Sequence, residues 1–304
     1  MTAARLLAQA AVLDGNGPGS AAEALERRVA APATREALAA RIAVSTAYEL
    51  DDQPASTLGD GVAGFGTFAS HGVAGGNDLL ARELARRLGA RVRLGAPVER
   101  VTWGESGVAV RARGTELAAA ACVVATPAPH TLEIVFDPPL PDWKRNALAA
   151  VRYGQAAKLF LLLAGSAPPS ATLSVPDRYW TWTQHAPDGS PLPAACSFAG
   201  TAAALQRLDV AHGPGTWAAA VRRLRPDLPL STEAPVLATW HDDPWAGGAY
   251  SARSLASPLD DDALARPAGR LLFAGEHTAG ALHGLMEGAL RSGVRAAADA
   301  LAAI

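Results

Sequence analysis

The chain of 304 residues is short of cysteine, lysine and methionine, with two of each. Cys122 and Cys196 cannot build a disulfide framework, and no Cys/His spacing resembles a metal site. Structural zinc is therefore excluded, and a reducing cytoplasm is the expected compartment. Neither sign of charge is in excess: Lys+Arg is 27 and Asp+Glu is 29, a net charge of -2. Such a balance gives no basic field for nucleic acid and no polybasic membrane patch. No apolar run reaches the roughly 18–20 residues of a membrane span. The longest, around 118–125 and 156–164, are strand-sized. The opening MTAARLLAQAAVLDG is interrupted by Gln and reads as a helix start rather than a secretory signal. There is no repeat, no low-complexity segment and no Gly-x-Ser-x-Gly elbow, so a serine hydrolase is excluded.

What remains is globular. Apolar residues make up 49% and charged residues 18%, enough for a large core, and the length suggests about two domains. Residues 1–50 read as helices broken at 15–19. A helix from Asn77 or Asp78 runs to Leu88 and stops at Gly89, with Leu80, Leu84 and Leu88 on one face. Strands are expected at 91–94, 97–103, 108–113 and 121–125. Cys122-Val123-Val124 is apolar throughout, as in a buried parallel strand. A helix over 143–151 and a strand over 155–163 follow, then short strands and Pro-rich turns to 200. Helices are expected at 201–208 and 216–224, and strands at 236–240 and 270–274. A loop over 275–284 leads into a long helix over 286–303.

Three constellations could carry chemistry. The C-terminal LLFAGEHTAGALHGLMEGAL is a strand, a Gly-Glu loop and a helix start, where free N–H groups and the helix dipole favour negative charge. Gly284, Gly288, Ala289 and Gly293 would let a flat group approach that helix. Read alone, this is also an ordinary terminal helix with a Gly-rich approach. Lys158 lies in the apolar run AAKLFLLL, where burial would depress its pKa; a snorkelling lysine at a strand end reads as well. Trp240 and Tyr250 flank a Gly/Pro loop, either as core aromatics or as an aromatic wall for an ammonium group. Glu287 and Arg291 are spaced as a solvated i,i+4 pair.

Five ordered segments resemble one family, the flavin-containing amine oxidases, which include monoamine, polyamine and L-amino-acid oxidases. They are Gly75-Gly76-Asn77-Asp78-Leu79-Leu80, Leu94 to Val101, Val123 to Pro127 with Phe136 to Pro141, Tyr153 to Lys158, and Trp240 to Tyr250. The Phe-Ala-Gly-Glu-His-Thr run at 273–278 joins them, and the likeness extends from about residue 70 to 304. The resemblance implies an α/β fold of two domains, a partial Rossmann-type FAD domain and a mixed-sheet, helical substrate domain. The chain would cross between them: 1–70 substrate-domain helices, 71–130 FAD domain, 131–260 substrate domain, 261–304 FAD domain.

It also implies oxidative deamination of a small-molecule amine with O2, giving H2O2. Lys158 would hold a water at the flavin, Trp240 would pack beside the ring, and Tyr250 would wall the substrate pocket. Trp245 is a further candidate wall. The backbone of Val98 would meet the adenine, and Thr126, at the end of the strand leaving the FAD domain, would also contact the cofactor. Gly275, Glu276 and Thr278 would meet the ribityl and pyrophosphate region, and Met286 the pyrimidine edge.

Two positions depart from the monoamine-oxidase pattern. Ala249 stands where covalent enzymes carry Cys, so FAD would be held noncovalently. Leu285 stands where a second cage Tyr would fall, so the substrate is left open. The family's opening Gly-x-Gly-x-x-Gly unit is absent: Gly15-x-Gly17-x-Gly19 and Gly61–Gly66 are spaced wrongly. A split gene with an N-terminal half-enzyme partner, a truncated reading frame and a non-catalytic relative or accessory subunit are all open, as is homo-oligomerisation. So is another flavin oxidoreductase of the superfamily, of desaturase or protoporphyrinogen-oxidase type.

Overall fold

The computed structural model describes residues 13, 15–59 and 73–304. The expected helix start at the N-terminus and the Gly61–Gly66 run lie outside them. Helix α1 (Ala21–Arg28) starts with a capping box: the Ser20 hydroxyl accepts from the Glu23 N–H at 3.1 Å, and the Glu23 carboxylate accepts from the Ser20 N–H at 3.0 Å. Helix α2 (Pro32–Thr46) opens on a proline, whose missing N–H costs nothing at a first turn. Leu25, Leu38, Ile42, Leu50 and Leu58 close the core between these helices and the following turn.

Helix α3 (Asp78–Leu88) has its expected limits, but none of its residues is buried. Its leucine face is therefore surface, not core. The expected strand at 91–94 is absent. Gly89 and Gly95 both adopt positive φ, and the segment from one to the other is a 3-10 turn over Gly89–Arg91 followed by a turn at Leu94-Gly95.

Strands β1 (Val98–Gly104), β2 (Gly107–Ala112) and β3 (Thr115–Ala119) form an antiparallel meander. Strand β4 (Cys122–Val124) leads to α4 (Ala128–Glu133). Strand β5 (Val135–Asp137) then joins the meander parallel to β1. Next come α5 (Asp142–Ala150), β6 (Arg152–Tyr153), β7 (Ala156–Leu162), β8 (Ala171–Ser174), β9 (Tyr179–His185) and β10 (Pro191–Gly200). Helices α6 (Ala202–Arg207) and α7 (Gly215–Leu224) precede β11 (Val236–Thr239) and β12 (Ser251–Ala252). The chain ends with α8 (Asp261–Ala265), β13 (Leu271–Phe273) and α9 (Met286–Ala303).

The central sheet is antiparallel in the order β11-β7-β10-β9-β8. Side chains alternate across it. Ala157, Leu159 and Leu161 of β7 are buried with Tyr179, Leu205, Trp217 and Val221, with Tyr179 and Trp217 edge to face at 6.0 Å. Lys158, Phe160 and Leu162 point to the other face, which is half open. The apolar run around Lys158 does not bury it: only one face of that run is covered.

The lysine that the fold buries is Lys144 on α5, at 0% exposure. Its ammonium donates to the carbonyls of Ala263 and Leu264 at 2.6 and 2.9 Å, and lies 3.8 Å from the Phe273 ring centroid. It thereby ties α5 to the end of α8 and to β13. Strands β4 and β13 pair in parallel. β13 is covered on both faces: Leu271 and Phe273 pack toward α5 and α8, Leu272 toward α9. Its partner is less enclosed than its sequence implies, since Val123 is 41% exposed.

Candidate active site

Parallel strands carry loops at their carboxyl ends, and ligands bind there. Both β4 and β13 end at one cavity of about 270 Å³. Ala125, Thr126 and Pro127 line it from the end of β4, and Gly275, Glu276 and His277 from the end of β13. Tyr153, Trp240, Ala246, Gly248 and Ala249 close the remaining side.

The loop geometry has clear causes. Gly275 has φ +126, and a Cβ there would sit 2.6 Å from the His277 ring. Gly248 lies so close to β6 that a Cβ would meet Tyr153 Cβ at 2.7 Å. Two backbone bonds hold the 241–250 loop to the start of β7: Gly154 N–H to Tyr250 C=O at 2.8 Å, and Ala249 N–H to Gly154 C=O at 2.9 Å. Glu276 accepts from the Ser251 N–H at 2.8 Å, from the Ser251 hydroxyl at 2.6 Å, and from the Gly284 N–H. One carboxylate thus joins β12, β13 and the turn before α9.

Burial sets the protonation states. Tyr153, which accepts from the Ala128 N–H, and Tyr250, which donates to the Ser45 carbonyl, are both pushed well above the ordinary phenol range. Both stay neutral. Burial lowers the pKa of His277, against the opposing pull of Glu276. Burial first, then Arg295 and Arg266, lower Lys144 to about 7. Among the described residues, no cluster of His, Cys, Asp and Glu could hold a metal ion, and no helix is long and apolar enough to cross a membrane.

The family model for flavin-containing amine oxidoreductases matches residues 8–301. The chain belongs to this family. A mouse L-amino-acid oxidase is 28% identical over 260 residues, covering 74% of this chain and 38% of that protein. The chain therefore spans about two fifths of that relative's length. Its fold is that of the FAD-binding amine oxidases. Cyclohexylamine oxidase from Brevibacterium oxydans IH-35A superposes with a TM-score of 0.77 at 20% identity, covering 98% of this chain and 73% of that one. Putrescine oxidase bound to putrescine superposes at 0.80 with 19% identity, covering 98% and 74%.

The cavity gathers Thr126, Trp240, Ala249, Gly275 and Glu276, which are widely separated in sequence. Tyr250 is next to it, its hydroxyl turned to α2. The other candidates lie elsewhere. Thr278 is buried beneath the loop, donating to the Gly275 carbonyl at 2.9 Å and accepting from Arg295 at 3.0 Å. Trp245 is 69% exposed and does not line the cavity. Val98 opens β1 on the surface, far from a lining role. Met286 is 48% exposed in the first turn of α9, and Leu285 is its half-buried N-cap. The gap beside Gly288 is taken by the chain's own Leu282 carbonyl, so that glycine serves loop packing. Glu287 and Arg291 pair at 2.6 Å on the exposed side of α9.

Tyr153 and His277 line the cavity without having been singled out. The signal for His277 was its place two residues after a Gly at a strand end. Tyr153 opens one of the family-like segments, but its place in the cavity wall comes from packing against the distant 241–250 loop.

The residues present fit the ring end of a flavin. A neutral His277, an aromatic wall at Trp240 and a glycine turn surround a space near the lower end of ligand pockets, roughly 300–1,000 Å³. That space suits a ring-sized group and not a whole dinucleotide.

Proposed function

We propose that this chain forms the substrate side and the flavin-ring side of an FAD-dependent amine oxidase. The reaction would convert an amine, O2 and water into an aldehyde or keto product and H2O2. The reading rests on one observation: parallel strands β4 and β13 and the 241–250 loop converge on a single cavity. Bound flavin would supply the redox chemistry, accepting hydride from the amine carbon and passing electrons to O2.

The chain's own groups would do the rest. Trp240 and the neutral Tyr250 would orient an uncharged amine and keep water from the reacting carbon. Lys158, on the open face of the central sheet, would hold a water and move its proton. The N-terminus of α9 at Met286 would favour negative charge. Ala249 offers no thiol, so the flavin would be held without a covalent bond. A Gly-x-Gly-x-x-Gly segment beyond the residues of this sequence would cradle the phosphates.

Visible absorption of the chain before and after FAD addition tests the reading. Flavin bands that co-elute in gel filtration, leave on acid precipitation and bleach anaerobically with an amine are expected. A protein that binds FAD and is bleached by no amine refutes it.

A further inference from the structure

Among the described residues β13 pairs with β4 alone, so one of its edges has no neighbouring strand. The Ala274 N–H, just past the strand, donates to the Val124 carbonyl at 3.0 Å. Backbone groups of successive residues in extended chain point to opposite edges. The Phe273 carbonyl and the Gly275 N–H therefore point off the unpaired edge. Buried there without partners, both would be costly.

Helix α9 takes both, with side chains. The Ser292 hydroxyl accepts from the Gly275 N–H at 2.9 Å and donates to the Ala289 carbonyl at 2.7 Å. Arg295 donates to the Phe273 carbonyl at 2.7 Å, to the Thr278 carbonyl at 2.8 Å and to the Thr278 hydroxyl at 3.0 Å. That hydroxyl in turn donates to the Gly275 carbonyl at 2.9 Å. Three residues apart, Ser292 and Arg295 share one face of α9. Their bonds reach both ends of the segment 273–278. Between those ends lie Gly275, Glu276 and His277, which line the cavity from the β13 side.

The chemistry of the hold favours geometry over stability. All three acceptors of Arg295 are uncharged, no carboxylate pairs with it among the described residues, and its Nε–H is buried without an acceptor. On the other side of Phe273 the Lys144 ammonium lies 3.8 Å from the ring centroid, so two cations grip one residue. An unneutralised guanidinium near a second cation is a poor way to gain stability. What its planar fork supplies is several donors in fixed directions, enough to span two carbonyls and a hydroxyl at once. Ser292 and Thr278, both 2% exposed, leave water no access to these bonds.

We propose that Ser292 and Arg295 are positioning residues for the cavity: standing in for a neighbouring strand on the free edge of β13, they set the shape of the Gly275–Thr278 turn that walls it. The shape follows from these bonds alone, and its use in holding a flavin ring rests on the amine-oxidase reading.

Two measurements on the full chain separate the two. Hydrogen exchange of the Gly275 and Thr278 amides is followed without FAD. FAD affinity is then titrated by flavin fluorescence, at a temperature where far-UV circular dichroism shows each protein folded. Ser292→Ala removes the acceptor of the Gly275 N–H. Arg295→Gln removes the fork, and Arg295→Lys keeps the charge but spans fewer acceptors. Exchange is expected to quicken at least about tenfold at Gly275 in Ser292→Ala and at Thr278 in Arg295→Gln, with FAD binding weakened at least about tenfold in both. Arg295→Lys should lie between Arg295→Gln and the wild type in both readouts. If Arg295→Gln does not fold, Ser292→Ala and Arg295→Lys carry the same test.

Turn amides that exchange as in the wild type overturn the proposal. FAD binding that is unchanged while the turn loosens also overturns it, because the two residues would then serve stability alone. Quickened exchange in a chain that binds no FAD upholds the hold on the turn and overturns the flavin reading.

Discussion

Replacing Lys144 with Met should change how stability depends on pH. In the folded chain Lys144 loses its proton near pH 7, whereas in the unfolded chain it keeps it to the ordinary 10.5. Between those values the unfolded state binds more protons, so stability rises with pH. It is flat below about pH 7, where both states are protonated. A fall from 10.5 to about 7 corresponds to at most about 5 kcal/mol. The two carbonyls and the Phe273 ring reduce this, because they favour the charged form. Lys144→Met removes the titration. It also strips the Ala263 and Leu264 carbonyls of a donor, at roughly 1–3 kcal/mol each. The variant is therefore least harmful in acid and most harmful in base. Urea midpoints of both proteins from about pH 6 to about pH 9.5 read the difference directly. The gap between them should widen with pH by a few kcal/mol. Parallel curves would refute the reasoning, since they would mean that Lys144 titrates alike in both states.

Other changes probe the cavity. Gly275→Ala puts a Cβ into the His277 ring at positive φ, and should cost roughly 1–3 kcal/mol and reduce FAD binding; an unchanged melting temperature and FAD affinity would count against the turn's role. Lys158→Met should slow flavin reduction or reoxidation by about tenfold or more without loss of stability, because the side chain sits on the open face. Stopped-flow traces identical to wild type would remove Lys158 from the reaction. Tyr250→Ala should impair amine turnover more than FAD binding, and the reverse order would make Tyr250 a structural anchor for α2.

How much of this could be read in advance depended on how far apart the partners lie. Strand β13 was legible as an apolar run between Gly269 and Gly275, and helix α9 from the Gly284 turn before it and its own periodicity. The cavity residues Thr126, Trp240, Gly275 and Glu276 were legible because they sit at or just past strand ends. Strand β3 was missed because Thr-Glu-Leu-Ala-Ala has no strand pattern and is held by pairing with β2. The position of Lys158 was misread because AAKLFLLL is apolar on both faces, so its alternation is silent about which face is covered. Burial of Lys144 was hidden because its acceptors lie 119 and 120 residues away.

Glu276 shows why lining a cavity and contacting a cofactor are different claims. Its two oxygens accept from Ser251 twice and from Gly284 once, all groups of this chain. A carboxylate so occupied has little capacity left for a ribityl hydroxyl, and releasing Ser251 would leave a buried donor unpaired, at roughly 1–3 kcal/mol. The stronger physical role for Glu276 is to lock β12 and the turn before α9 onto β13. It would then fix the distance between the Gly275 turn and the α9 N-terminus, the two places where backbone N–H groups can face a ligand. On this reasoning Glu276→Gln keeps the shape but swaps one of the two acceptor oxygens for a donor, so that either the Ser251 or the Gly284 N–H loses its acceptor. The loop loosens before any contact to flavin is lost. Hydrogen exchange of at least one of the Ser251 and Gly284 amides, measured without FAD, should therefore quicken in the variant. Unchanged exchange together with weakened FAD binding would return Glu276 to direct cofactor contact.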